Sequence, residues 1–213
     1  MTEAEWLTNI DPRQKLDFLR TKATERKLRL FGVGCCRQLG EAVSITADAL
    51  NAVECYADTG KTKAALKRVR QGVKEARHGI PNGDKSRHIE WVALWLAEVA
   101  ASENVSAGVG DELVRLASLG LVGRDVQSSL EPLTRCVFAN PFRPTAPDAD
   151  WLTPAVVSLA QSTYDERRFD RMPELADALE KAGCDNAEVL SHCRNSGPHV
   201  RGCWVVDLVL GKS

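Results

Sequence analysis

From Leu28 to Leu39 the apolar residues Leu28, Phe31, Cys35 and Leu39 return every three or four positions. That spacing places them on one stripe of an α-helix. The same period recurs in Val43, Ala47, Leu50 and Ala57, in Leu66, Val69, Val73 and Ala76, and in Ile89, Val92, Ala93, Leu96 and Ala100. It returns in Val126, Leu130, Leu133 and Val137, and in Val157, Ala160 and Tyr164. One run, Trp204-Val-Val-Asp-Leu-Val-Leu, has the propensity of a strand. Its helical surroundings argue for a helix over 199–210. The pattern predicts an all-α fold, an irregular multi-helix bundle or orthogonal array of about nine to eleven helices.

Local signals punctuate these stripes. Asp11-Pro12, Thr24 and Thr153-Pro154 are helix starts, with a capping side chain before the first turn. Asp185 with Glu188 three residues later has the spacing of a capping box. Gly183 and Gly211 are stops. Pro132 lies inside the stripe that begins near Asp125, where it either kinks the helix or starts it. Gly32, Cys36 and Gly40 form a small-residue row that suits close approach of another helix. Arg26, Lys27 and Arg29 crowd the first turn after Thr24, where the helix dipole disfavours cations. They are expected on a solvated face. Trp91 and Trp95, four apart, are expected as core or interface filler. The chain reads as a single helical domain, 1–213. Sub-boundaries are expected near the turn-rich 79–84 and in the connector 140–150, where Pro141, Pro144 and Pro147 forbid a regular helix.

Charge argues against some functions. With 28 basic and 29 acidic residues the net charge is -1. A protein working mainly through attraction to nucleic acid or an anionic membrane carries a larger basic excess. The basic run Lys61–Arg77 has no interleaved aromatic residue for base stacking. The acidic start Met1-Thr-Glu-Ala-Glu-Trp does not have the form of a secretory signal, and no apolar run approaches the length of a membrane span. A cytoplasmic location is expected, where the seven cysteines serve as thiols or metal ligands rather than as a disulfide framework.

Chemistry-bearing residues concentrate near the C-terminus. His192, Cys193, His199 and Cys203 bring imidazole and thiolate donors into twelve residues, and four such donors suit tetrahedral zinc. The spacing His-Cys-x5-His-x3-Cys is not that of a zinc finger. Adjacent His192 and Cys193 would point about 100° apart on one helix, so Cys35 or Cys36 is a candidate for a missing ligand. That requires the helix of Cys35 and Cys36 to pack with the C-terminal segment as one core. Cys203 with His199 or His192 is also a candidate thiolate pair, although no oxyanion hole or nucleophile elbow is recognisable. Arg167, Arg171, Arg194 and Arg201 are candidate binding residues. Asp207 sits within an apolar run, must be paired if buried, and is expected beside Arg194 or Arg201.

Both ends of the chain resemble an uncharacterised bacterial family abundant in planctomycetes. At the N-terminus the similar residues are Thr2-Glu-Ala-Glu-Trp-Leu, Asp11-Pro, Arg26-Lys-Leu-Arg-Leu-Phe and Cys35-Cys36-Arg37. Towards the C-terminus they are Asn140-Pro-Phe-Arg-Pro, Trp151-Leu-Thr, Tyr164-Asp-Glu-Arg, Phe169-Asp-Arg, Leu175-Ala-Asp-Ala-Leu-Glu, Ala182-Gly-Cys, His192-Cys-Arg and Gly197-Pro-His-Val-Arg-Gly-Cys-Trp-Val-Val-Asp. The middle, roughly 41–135, looks variable. Near residue 33 the family pattern tends to Ala-Cys-Ala-Cys-Cys-Arg, whereas this chain has Gly32-Val-Gly-Cys-Cys-Arg, with one thiol fewer. The resemblance implies organisation and location rather than an activity.

Three functional readings follow, in this order. The first is a non-enzymatic helical module that binds a protein partner, with a structural metal such as zinc. The second is a metal- or thiol-dependent enzyme centred on the C-terminal His/Cys cluster. The third is a nucleic-acid binder using the basic residues of 26–37 and 61–77, which requires them to converge on one face.

Overall fold

The structure, a computed structural model, describes residues 1–8, 12–19, 21–39, 46–61, 63–81, 88–102 and 124–212. Asp11, Gly40, Val43 and residues 82–84 of the expected break at 79–84 lie outside them. The described residues form eleven α-helices and no strand, the all-α class that the periodicity predicts. In order these are α1 (Glu3–Thr8), α2 (Pro12–Leu19), α3 (Glu25–Arg37), α4 (Ala47–Thr59), α5 (Lys63–His78), α6 (His88–Ala100), α7 (Arg124–Phe138), α8 (Pro154–Asp165), α9 (Met172–Lys181), α10 (Ala187–Arg194) and α11 (Trp204–Leu210). The chain forms two compact units, Met1–Thr134 and Arg135–Ser213, and the boundary falls inside α7. The breaks at 79–84 and 140–150 fall one in each unit. No helix among the described residues is long and apolar enough to cross a membrane.

The first unit is built on α3. Thr24 caps it, its side chain accepting from the backbone N–H of Lys27 at 3.3 Å. Every residue from Leu28 to Cys36 is buried, which takes a helix covered on all sides rather than on one stripe. Neighbours α4 and α6 pack against it, and α5 packs on both of them.

Arg26 and Arg29 are not on a solvated face. Arg29 is 2% exposed. Its guanidinium donates to the carbonyls of Ala100 at 2.9 Å and Ser102 at 2.6 Å, at the end of α6. It also lies 5.1 Å over the Tyr56 ring and 3.6 Å from the Glu25 carboxylate. Carbonyls at a helix C-terminus have no intrahelical donor and carry partial negative charge, so a guanidinium is well suited to them. Arg26 pairs with Asp58, Arg37 with the buried Glu54, and Arg77 with Glu98. Arg77 also lies over Trp95, which stacks on Trp91 with ring centroids 5.7 Å apart. These basic residues are therefore used in holding α3–α6 together. Lys15, fully buried, pairs with Glu131 and lies over Trp6.

The second unit starts with the last turn of α7. Helix α7 runs through Pro132 without ending there. The connector then leads through a short 3-10 turn, Ala149–Trp151, into α8, which Thr153 caps as its sequence predicts. Helices α8 and α9 pack together, α10 packs on α9, and α11 packs on α8. Their shared core includes Val156, Ala160, Tyr164, Leu175, Leu179, Val189, Val205 and Val206. Helix α9 ends where Gly183 takes φ +93°. The N–H of Gly183 bonds the carbonyl of Glu180 and that of Cys184 bonds Leu179, the paired bonds of a Schellman stop. The cap of α10 is Asn186 rather than Asp185. Its side chain accepts from the N–H groups of Glu188 and Val189. A capping side chain must sit immediately before the first helical residue, and α10 starts one residue later than the capping-box spacing implies.

Candidate metal centre

Segment 199–210 is helical only from Trp204 onward. Residues 195–203 form an irregular loop that carries His199 and Cys203, so the helix expected over 199–210 begins after both of them. The loop nonetheless folds back so that His199 Nδ1 lies 3.9 Å from Cys203 Sγ. From α10, His192 Nε2 approaches Cys203 Sγ at 3.3 Å. From the last turn of α7, Cys136 Sγ approaches His199 Nδ1 at 3.7 Å. The four donor atoms of Cys136, His192, His199 and Cys203 all lie within 4.8 Å of one another.

Cys136, not Cys193, supplies the second sulfur. Cys193 is buried on α10, where desolvation first, and then the neighbouring Cys203 and Cys184, push its thiol far up. It is a neutral core thiol. Adjacent residues on a helix diverge by about 100°, so His192 facing the cluster turns Cys193 away from it. Cys35 and Cys36 belong to the first unit and are buried in α3. Burial raises both thiols, Cys36 to about 12. Nothing in the sequence singles out Cys136, because a thiol in line with Leu133 and Val137 has the pattern of a core residue. Its only signal was membership of a cysteine set larger than a helical core requires.

Each imidazole is held in place. His199 Nε2 lies 3.1 Å from the carbonyl of Asn195. That carbonyl can only accept, so Nε2 carries a hydrogen and Nδ1, aimed at the two sulfurs, is left as the donor atom. Such an outer hydrogen bond fixes tautomer and ring orientation at metal sites. His192 packs edge-on against His199, with centroids 4.8 Å apart, and against Trp204 at 5.3 Å.

Electrostatics favour positive charge at the centre of this group. Burial alone would raise the Cys203 thiol. The hydrogen bond from Cys136, the charge of His192 and hydrogen bonds to both imidazoles outweigh burial and hold it well below its ordinary value. Burial alone would lower His199, but its hydrogen bond to Cys203 and the thiolate charge move it up. These opposite shifts favour a thiolate beside a protonated imidazole when no cation is bound. A metal ion would displace that proton and place a larger charge at the same point.

The other nominated residues do not gather there. Arg194 donates to Asp177 at 3.1 Å and Glu180 at 2.7 Å, tying α10 to α9. Arg171 donates to Glu174 at 2.9 Å. Arg167 is half-buried with φ +55° at the turn after α8. Arg201 donates to the carbonyls of Tyr164 and Asp165. Asp207 is buried in α11.

Comparison with protein-family models, with curated proteins and with solved structures returned no match.

Proposed function

We propose that the second unit is a zinc-stapled helical module, non-enzymatic, whose scaffold presents a surface to a protein partner. The observation that carries this reading is the convergence of two thiols and two imidazoles within 4.8 Å. A tetrahedral zinc ion, with bonds of about 2.3 Å to sulfur and about 2.0 Å to nitrogen, holds its ligands roughly 3.3–3.8 Å apart. The contacts of 3.3 and 3.7 Å fall within that spacing and that of 3.9 Å lies just above it, so the ion would draw the four donors, now within 4.8 Å of one another, slightly inward. Four protein ligands complete the coordination shell, which is the mark of a structural site rather than a catalytic one. The ion would join the end of α7, α10 and the loop before α11. A unit of this size has a small core, and a structural metal is one way to supplement it. A two-iron cluster with the same ligand types would split the thiolates and imidazoles between two metal ions. Here Cys203 lies against both imidazoles, at 3.3 and 3.9 Å, and Cys136 against His199 at 3.7 Å, so thiolates and imidazoles are not segregated. Phe142, 37% exposed on the connector, supports the partner-binding part.

The thiol-enzyme reading has one supporting contact, His192 to Cys203 at 3.3 Å. Against it, Cys203 is fully buried, whereas a nucleophile must meet its substrate.

Inductively coupled plasma mass spectrometry of the purified protein, with thiol titration of the same sample, tests the proposal. Near one zinc per chain is expected, with Cys136 and Cys203 protected from reagent until a chelator is added. Metal-free protein that takes up no added zinc would overturn it.

A further inference from the structure

The loop that supplies His199 and Cys203 is fastened at one point between them. The N–H of Cys203 bonds the carbonyl of Val200 at 2.9 Å, and Gly202 has φ +90°. A four-residue turn closed by that bond, with positive φ at its third residue, is of type II. Gly202 is buried and meets the backbone demand that other residues resist. Arg201 is the second residue of this turn. Its Nε donates to the carbonyl of Tyr164 at 3.1 Å and a terminal nitrogen donates to that of Asp165 at 3.2 Å. The guanidinium lies 4.9 Å from the centroid of the Tyr164 ring, which is itself buried. Tyr164 and Asp165 end α8, so the guanidinium occupies the negative end of that helix and satisfies two of its open carbonyls.

We propose that Arg201 is a positioning residue of the metal centre, clamping the Val200–Cys203 turn to the end of α8 so that His199 and Cys203 stand at ligand distance before an ion arrives. This rests on the metal reading above. The clamp touches neither donor atom and acts through the backbone on either side of it. Arginine suits the task because its planar fork reaches two carbonyls at once, which a lysine ammonium does with less geometric definition. Outer-shell residues that orient ligands typically change metal affinity by about 10–100-fold when removed.

The test is zinc affinity by competition with a chromophoric chelator, for wild type, Arg201→Ala, Arg201→Lys and the control Arg171→Ala. The melting temperature of each metal-free protein is measured alongside, and affinities are taken well below it. Arg201→Ala is expected to bind zinc at least about 10-fold more weakly, Arg201→Lys to recover part of the loss, and Arg171→Ala to match wild type. If Arg201→Ala does not fold, Arg201→Lys and Tyr164→Leu, which removes the ring beneath the guanidinium, carry the same expectation of weakened zinc binding. Zinc affinity unchanged in folded Arg201 variants, with wild type binding normally, overturns the positioning role alone. Weakening by the same factor in Arg171→Ala also overturns it. A wild-type protein that binds no zinc overturns the metal reading and this inference with it.

Discussion

Cys136 Sγ lies 3.7 Å from His199 Nδ1, although 63 positions of chain separate the two residues. This contact decides which cysteine belongs to the centre. Cys136→Ala is expected to abolish stoichiometric zinc binding, whereas Cys193→Ala keeps it. The Cys193 change should instead cost about 1–2 kcal/mol through the small cavity it leaves in a packed core. Metal analysis and denaturant melts of both variants separate the two roles. Retention of a full zinc complement in Cys136→Ala would remove that residue from the ligand set.

Arg29→Met is expected to destabilise the first unit by about 3 kcal/mol. It leaves the Ala100 and Ser102 carbonyls without their donor, and a buried group that loses its partner costs more than the bond was worth. Arg29→Lys, which keeps the charge but not the forked geometry, should cost less. Equilibrium urea melts give the difference. Were Arg29 a solvated residue, both changes would fall within about 0.5 kcal/mol of wild type.

Cys36 makes stability depend on alkaline pH. Burial, only partly opposed by the charge of Arg37, raises its thiol from 9.0 to about 12. Between those values the unfolded chain has released the proton and the folded chain has kept it. The contribution is therefore complete below about pH 9 and is lost as pH rises toward about 12, on the order of 4 kcal/mol over the whole interval. Denaturant melts from pH 8 to about 10.5 should fall less steeply for Cys36→Ala than for wild type. Equal slopes would place Cys36 in water.

The start of α10 offers a clean comparison of neighbours. Asn186 accepts from two backbone N–H groups, so Asn186→Ala should cost about 1 kcal/mol. Asp185 is exposed, and Asp185→Ala should stay within about 0.5 kcal/mol. Thermal melts of the two single variants suffice. The reverse order would restore Asp185 as the cap.

Local chemistry made much of the fold legible in the sequence. Helical spacing set the all-α class, because a stripe such as Leu66, Val69 and Val73 has one comfortable conformation. Thr24 and Thr153 cap the helices they precede, because a cap acts over three residues. Near the C-terminus the sequence located His192, His199 and Cys203 but named Cys193 as their companion. Spacing along the chain says nothing about a residue on another helix, so Cys136 could not be chosen over Cys193.

Arg29 marks the same limit from the other side. The sequence shows a cation in the first turn of an apolar helix, and in isolation such a cation belongs in water. Only the packing of α6 against α3 brings the open carbonyls of Ala100 and Ser102 to it. Periodicity, caps and turns were thus fixed by interactions a few residues long. Which thiol faces which imidazole, and which cation is buried, was decided by tertiary structure, because donors and acceptors far apart in sequence become neighbours only when helices pack.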